Sequence, residues 1–353
     1  MDVVSLYILL ILFVLYLFAI MPRINNGADR MPFMNVHYAH RGFHDNQTEA
    51  PENSMAAFRK AVDAEYGIEL DVQLTKDRIP VVFHDETLRR VCKVGGKVRD
   101  YTYEELQEFR LCNSEEKIPL FADVLKVVDG KVPLIVEIKI HENATEVCTA
   151  VDAVLGEYQG IYCMESFHPF AVYWYRKNRP EVLRGQLSSN FNKTGKNEPF
   201  AQWLVHYLFL NCLGRPDFIA YNHKFKYNVS RLICKYVFRA LSVAYTIKTQ
   251  EELEKCKKDF DLFIFEGFEP VKEEQPVEEP AMEVAALDVE VAEEPTEESA
   301  TEEVPAEESA TEEVPAEEPA TEEVPAEEPI TEEVPAEEPT TEAALAEENK
   351  KEC

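Results

Sequence analysis

The stretch Gly67-Ile68-Glu69-Leu70-Asp71-Val72-Gln73-Leu74 decides the fold. Side chains alternate along a strand, so Glu69 and Asp71 share one face while Leu70 and Val72 flank them. Pro133–Ile140, PLIVEIKI, repeats the design: Glu137 and Lys139 share a face inside an apolar run that includes Ile135 and Ile138. A carboxylate on a covered strand must be paired, metal-bound or protonated. Two strands that each carry ionisable groups on one face suit the carboxyl-terminal mouth of an α/β barrel, where reactive side chains collect.

Outward from these two strands the chain alternates strand and helix signals over 35–270. Val36–His40, Ile68–Leu74, Ile79–His84, Pro133–Ile140, Gly160–Ser166, Val182–Ser188, Asp217–Tyr221, Leu241–Ile247 and Asp261–Phe265 read as strands. Asn53–Tyr66, capped by Asn53 or Ser54, and Glu142–Tyr158 read as helices. Thr102-Tyr103-Glu104-Glu105 and Thr249-Gln250-Glu251-Glu252 are capping boxes that open two more. Alternation over about 235 residues fits a TIM (β/α)8 barrel, commonly about 250 residues long. A doubly wound sheet is disfavoured, because no glycine-rich phosphate loop follows the first strand.

Polar residues at the strand ends supply an inventory. The first strand ends in His40-Arg41-Gly42, and the segment after the second ends in His84-Asp85. Glu69, Asp71 and Glu137 are three carboxylates with few cations nearby, an all-oxygen set that suits Mg²⁺ or Ca²⁺, or Mn²⁺, better than Zn²⁺. His40 and His84 are free for proton transfer near neutrality. Arg41 and Lys139 can hold an anion. A divalent cation, two histidines and two cationic anchors suit displacement at a phosphodiester. Glu52 reads equally as a helix cap or as a neighbour of the metal. His37 falls on the opposite strand face from His40 and reads as structural, and His44 lies beside the site but outside the inventory. His141, His168, His206 and His223 show no recurring ligand spacing. The aromatic stretch Trp203–Phe209 reads as a core helix in preference to a membrane contact.

These residues also resemble the glycerophosphodiester phosphodiesterases. The resemblance is carried by His40-Arg41-Gly42, Pro51-Glu52-Asn53-Ser54, Gly67–Val72, Val82-Phe83-His84-Asp85, Thr87-Leu88-Arg89-Arg90, Ile118-Pro119, Glu137-Ile138-Lys139, Ser166-Phe167 and Gly185–Ser188. It runs in order over about 35–270. It implies a TIM barrel with a small insertion after strand 2, at about Glu86–Lys117. It implies that Glu69, Asp71 and Glu137 bind metal, that His40 and His84 are the acid/base pair, and that Arg41 and Lys139 hold phosphate. Two positions depart from the family pattern. Tyr245-Thr246 stands where Trp-Thr is usual, and Phe265-Glu266-Gly267 replaces a usual Thr-Asp. No eighth helix is legible before the tail. The expected reaction is hydrolysis of a glycerophosphodiester to glycerol phosphate and an alcohol. Cleavage of lysophospholipids is the second reading, and an inactive barrel scaffold with an interacting tail is the third.

The two ends of the chain differ from its body. Val3–Met21 is an apolar run with Ser5 its one small polar residue. Its 19 positions span about 28 Å as helix, close to a bilayer core. Asp2 is the only charge before it and no small-residue cleavage site follows, so a retained anchor over about residues 1–22 is expected rather than a signal peptide. Arg23 and Arg30, opposed by Asp29, lean faintly toward a cytoplasmic body, so the chain is expected at the cell membrane as a single-pass protein. From Val271 onward there are 31 acidic and 3 basic residues, so the stated net charge of −31 is almost all tail. Residues 301–340 hold four decapeptide copies of the TEEVPAEE type. Such Glu/Pro text buries too little surface to offset its ordering entropy, so 271–353 is expected to be a disordered spacer with no partner identified. The 8 cysteines form no C-x-x-C pair and read as free thiols, which leans toward a reducing compartment. The expected partners are the phosphodiester substrate and the bilayer, not nucleic acid.

Overall fold

A strand in a closed parallel barrel is covered by the lumen on one side and by helices on the other, so continuous burial marks it. Gly67–Leu74 is buried at all eight positions and Leu134–Ile138 at all five. The computed structural model describes residues 2–24, 28–191 and 200–271. Its strands are β1 (His37–His40), β2 (Gly67–Leu74), β3 (Pro80–Val82), β4 (Leu134–Ile138), β5 (Tyr162–Ser166), β6 (Arg184–Ser188), β7 (Phe218–Asn222), β8 (Leu241–Ile247) and β9 (Leu262–Phe265). Its helices are α1 (Val3–Ile20), α2 (Met55–Asp63), α3 (Arg89–Cys92), α4 (Tyr103–Leu106), α5 (Phe121–Val128), α6 (Ala144–Leu155), α7 (Pro169–Asn178), α8 (Phe200–His206), α9 (Asn211–Gly214), α10 (Val229–Tyr236) and α11 (Gln250–Cys256).

All strands but β3 run parallel in the order β1-β2-β4-β5-β6-β7-β8-β9, and β9 pairs with β1 (Tyr38 opposite Ile264) to close the ring. The lumen is filled by Tyr38, Ile135, Leu187, Phe218, Val243 and Ile264. Ile68, Leu70, Val136, Met164 and Ile219 face the helices. Each such side chain contributes roughly 1.5–3 kcal/mol by leaving water. β3 is an extra strand: it is antiparallel to β2 (Val72 opposite Val82) and opens the insertion outside the ring. The insertion carries α3 and α4 over its own small core of Val81, Phe83, Leu88, Val98, Leu106 and Ile118. After β9 no further helix occurs among the described residues, and closure needs none.

The helix starts follow the polar signals. Ser54 caps α2 by accepting from the Ala57 N–H at 3.0 Å. Asn53, the other candidate cap, sits at φ +55 and turns its amide toward Asp71. Thr102 and Glu105 cap α4 reciprocally. Thr249 caps α11, but Glu252 reaches back to the Lys248 N–H, so that box is one-sided. The aromatic stretch 203–209 is only half core. Val205, His206 and Leu208 are buried, whereas Trp203 and Tyr207 are 39% and 36% exposed. The seven described cysteines are free. The acidic repeats and Cys353 lie outside the described residues.

α1 is long and apolar enough to cross a membrane, a property that anchors and signal sequences share. Asp2 caps it by accepting from the Ser5 N–H at 2.7 Å. Its last turn is built into the body. Ile20 is fully buried, and its carbonyl accepts from Asn211 Nδ2 at 3.0 Å. Arg215 donates to the Met21 carbonyl at 2.8 Å. Arg23 donates its backbone N–H to the Pro216 carbonyl and its guanidinium to the Pro180 carbonyl, each at 2.9 Å.

Candidate active site

The chain leaves β1 through a left-handed turn, with Arg41 at φ +56 and Gly42 at φ +81. A Cβ on Gly42 would also stand 3.0 Å from Ala57, so glycine serves both the conformation and the close approach of α2. The turn aims the Arg41 N–H at Glu69 Oε2, 3.0 Å away. The Arg41 side chain then reaches Glu52 at 2.6 Å and Asp71 at 3.6 Å.

Strand register assembles the carboxylates. His40 stands opposite Glu69, and Asp71 opposite Glu137, which in turn stands opposite Glu165 on β5. Oxygens of Glu69, Asp71 and Glu137 lie within 4.8 Å of one another, and all three residues are buried. Lys139 bridges Asp71 at 2.9 Å and Glu137 at 2.7 Å, and Asn53 donates to Asp71 at 2.8 Å. The expectation of few nearby cations is therefore corrected: Lys139 and Arg41 both reach Asp71. They do not balance the set, because Arg41 is shared with Glu52 and Glu165 adds a fourth buried acid.

The electrostatics record that surplus. Burial, reinforced by repulsion from Asp71, Glu137 and Glu165, pushes Glu69 well above the usual carboxylate range. Burial lifts Glu137 to about 7, against the pull of Lys139. Burial and Glu137 push Glu165 up as well, and its Oε2 has no hydrogen-bond partner. Asp71 behaves oppositely. Burial opposes its ionisation, but Lys139, His84 and Arg41 outweigh burial and hold it well below its ordinary value. Buried carboxylates crowded until some are driven to protonate make a cradle that fits an oxygen-loving divalent cation. Glu69, Asp71 and Glu137 are thus a candidate acidic metal site.

Each candidate histidine is held by a carboxylate on Nδ1. His40 Nδ1 lies 2.5 Å from Glu266 Oε2, and His84 Nδ1 lies 2.6 Å from Asp85 Oδ1. The Nε2 edges are not engaged by these two bonds, and His40 Nε2 lies 3.9 Å from Glu69. Burial lowers both imidazoles below their ordinary value, while Glu266 and Asp85 oppose it. His84 enters from the insertion instead of a barrel strand: the Phe83 N–H donates to the Asp71 carbonyl at 2.9 Å, which seats His84 beside the carboxylates.

Glu52 does not cap α2, a role that Ser54 takes. Arg90 grips Glu52 with two hydrogen bonds of 2.6 Å and grips Asp85 at 2.7 and 2.9 Å, tying the insertion to the β1 loop. Burial works against Glu52, yet Arg90, Arg41 and Asn46 bring it to about 2. His44 is drawn in as well. With His40 and Glu266 it forms a second set of ligand atoms within 4.8 Å, and burial lowers its imidazole to about 4. The short His40–Glu266 bond already uses that carboxylate. Sequence reasoning missed Glu165 and Glu266 as members of the site. Glu165 interrupts Tyr162–Ser166 as Glu69 interrupts its strand, so the same criterion finds it.

An α/β barrel whose mouth gathers buried carboxylates, two carboxylate-held histidines and an Arg/Lys pair defines a hydrolase of anionic esters. Residues 40–256 match the profile of the Glycerophosphoryl diester phosphodiesterase family. The chain belongs to that family of phosphoric diester hydrolases. The Bacillus subtilis protein YhdW is 35% identical over 170 residues, covering 45% of this chain and 69% of YhdW. Human glycerophosphodiester phosphodiesterase 1 is 30% identical over 189 residues, covering 49% of this chain and 55% of the human protein. The fold superposes on an Oleispira antarctica phosphodiesterase with a TM-score of 0.55 at 23% identity, covering 66% of this chain and 93% of that one.

Proposed function

We propose that the barrel hydrolyses glycerophosphodiesters to glycerol phosphate and an alcohol, with His40 and His84 as its acid/base pair. The observation that carries this reading is the Glu69–Asp71–Glu137 cluster flanked by two histidines whose Nδ1 atoms are each tied to a carboxylate. The Oleispira antarctica phosphodiesterase of the same fold is described in complex with the product sn-glycerol-3-phosphate, which supports a glycerol phosphate product. Glu69, Asp71 and Glu137 would hold Mg²⁺ or Ca²⁺, or Mn²⁺. When bound, the ion supplies Lewis-acid polarisation of a phosphoryl oxygen. Arg41 and Lys139 orient the diester anion. One histidine takes the proton of the attacking hydroxyl through Nε2, and the other returns a proton to the leaving oxygen. The attacking hydroxyl is water or the substrate's own glycerol hydroxyl.

We further propose three working parts: a retained single-pass anchor at 1–22, the catalytic barrel at 35–270, and the acidic repeats of 271–353 as a spacer. Retention is supported by the last turn of α1, whose carbonyls are capped by Asn211 and Arg215 of the body. Lysophospholipid cleavage is the second substrate reading, favoured by that attachment. The test is a substrate-by-metal screen of the full chain in detergent, with glycerophosphocholine and lysophosphatidylcholine each assayed with Mg²⁺, Ca²⁺ and Mn²⁺. Release of choline and glycerol phosphate from glycerophosphocholine is expected, and no release under any combination would overturn the assignment.

A further inference from the structure

The direction of α1 relative to the barrel fixes which end of the enzyme meets the bilayer. α10 follows β7 and leads into β8, so it runs from the catalytic end of the barrel back to the opposite end. α1 lies beside it in the same sense. Tyr16 Oη bonds Ser230 Oγ at 3.0 Å near the start of α10, and one turn later the Ile20 carbonyl meets Cys234 Sγ at 3.3 Å. Beyond the helix, Arg23 is bonded to Pro216 and Pro180, just ahead of β7 and β6 at the far end. Followed from Arg23 back toward Val3, α1 therefore travels toward the catalytic end and past it. Val3–Leu15, about 20 Å of helix, stands clear of the body, its large apolar side chains 50–67% exposed.

That free length is about 10 Å short of a bilayer core of roughly 30 Å. A span that short thins the bilayer and draws the catalytic end down against it, with the Tyr16 turn in the interface. The surface there suits that depth. α8, which follows β6 at the catalytic end, carries Phe200 at 74% exposure beside the half-exposed Trp203 and Tyr207. Phe200 stacks on Trp203 at 5.9 Å, Trp203 packs on Phe209 at 5.2 Å, and Phe209 meets Tyr16 of α1 edge-on at 5.8 Å. This row of rings is continuous with the apolar helix, and residues 200–211 contain no Asp, Glu, Lys or Arg. Phe170, at the start of α7 and also at the catalytic end, is 55% exposed. Uncharged aromatic surface beside an apolar helix is the composition of a headgroup-level belt. We propose that the catalytic end of the barrel rests on the bilayer that α1 enters, with Phe200, Trp203 and Tyr207 in the headgroup layer. Phosphodiesters carried in that leaflet, lysophospholipids above all, then meet the site without leaving the membrane. The substrate class rests on the function proposed above; the orientation does not.

The test uses the full chain in dioleoylphosphatidylcholine vesicles. The chain has two tryptophans, so Trp174→Phe leaves Trp203 as the sole reporter. With part of the lipid brominated at acyl positions 6 and 7, Trp203 emission is expected to fall by about half or more. Unquenched emission from chains that float with the vesicles would overturn the orientation, as would chains that do not associate with vesicles at all. The second arm compares wild type with Phe200→Ser/Trp203→Ser. Cleavage of soluble glycerophosphocholine should stay within about twofold, while cleavage of lysophosphatidylcholine held in the vesicles should drop about tenfold or more. Unchanged rates on both substrates would sink the platform. If the wild type cleaves neither substrate, the proposed function fails while the quenching result still decides the orientation.

Discussion

His40 Nδ1 lies 2.5 Å from Glu266 Oε2, so the first barrel strand is tied to the loop that leaves the last one. Lys248 grips the other oxygen of Glu266 at 2.5 Å. Burial opposes ionisation of Glu266, but His40 and Lys248 hold it well below the usual carboxylate range. The bond makes Nδ1 the protonated nitrogen of neutral His40 and leaves Nε2 to exchange protons. Glu266 thus stands where it can orient His40, at the place where this chain departs from the Thr-Asp that the family resemblance led one to expect.

Glu266→Gln tests that role. Burial is the larger influence on His40 and lowers its pKa; the Glu266 charge raises it. Removing the charge lowers it further, so whichever limb of the pH–rate profile His40 governs should move to lower pH. A glutamine amide can also flip and stabilise the wrong tautomer. A loss in kcat on the order of 10²-fold is expected, with Glu266→Asp recovering part of it. A profile that keeps its limbs while the rate falls would mean that Glu266 only supports the loop.

Metal dependence should show in stability as well as in rate. Glu137 has a folded pKa of about 7, above its unfolded value of 4.5. The stability it contributes is full below pH 4.5 and is lost as pH rises through about 7. Glu69, also raised, acts with the same sign. Between pH 5.5 and pH 8 the chelated wild type should therefore lose melting temperature relative to Glu137→Gln, which lacks this titration. A divalent cation, which binds the deprotonated carboxylates, should restore more at pH 8, by about 5–10 °C at 100 times its Kd. Asp71→Asn and Glu137→Gln should remove most activity and most of this metal-induced shift. Full activity after exhaustive chelation would refute the site.

The barrel was legible in the strand–helix alternation over 35–270, while side-chain alternation put Glu69 with Asp71, and Glu137 with Lys139, on one face of each apolar strand. What escaped depended on register and on long-range contacts. Glu165 joins the carboxylates because β5 pairs with β4 so that it faces Glu137, and strand order is not written in either strand. The Arg90–Glu52 pair bridges 38 residues and ties two loops. The direction of the strand before His84 was not legible: Pro80–Val82 turns back on β2, and three residues of apolar pattern carry no direction. The exposure of Trp203 and Tyr207 was hidden for the opposite reason: an apolar segment reads as core until the surface it faces is known.

The histidine pair should separate by leaving group. General acid–base groups contribute about 10²–10⁴-fold each, so His40→Ala and His84→Ala should each lose that much on glycerophosphocholine. The double variant should lose less than the product if the two act as a unit. A nitrophenyl diester leaves with little protonation, so it should partly rescue the variant that lacks the general acid and not the other. Near-wild-type rates in both single variants would remove His40 and His84 from the chemistry.

Removing 272–353 should leave the barrel whole. Phe263, Ile264 and Phe265 of β9 pair with His37, Tyr38 and Ala39 of β1, so the ring is closed by Phe265. Phe268 packs edge-on against Phe265 at 5.6 Å, and the Val271 N–H reaches Gln250 at 3.1 Å. The deleted segment holds 31 acidic and 3 basic residues, and a charge of that size with few apolar side chains gives a chain little with which to dock. A chain ending at Val271 should therefore keep its rate on soluble glycerophosphocholine within about twofold and its melting temperature within about 2 °C, since it retains the contacts of Phe265, Phe268 and Val271. Its isoelectric point should rise sharply. A chain ending at Phe265 should fail on both counts, because it loses Glu266 from His40 and exposes the face of Phe265 that Phe268 covers. A third chain ending near residue 295 tells a spacer from a structural extension. Loss of stability in the chain ending at Val271 but not in the one ending near 295 would assign the segment between them to the fold. Loss of activity in both would mean that the acidic repeats act in catalysis.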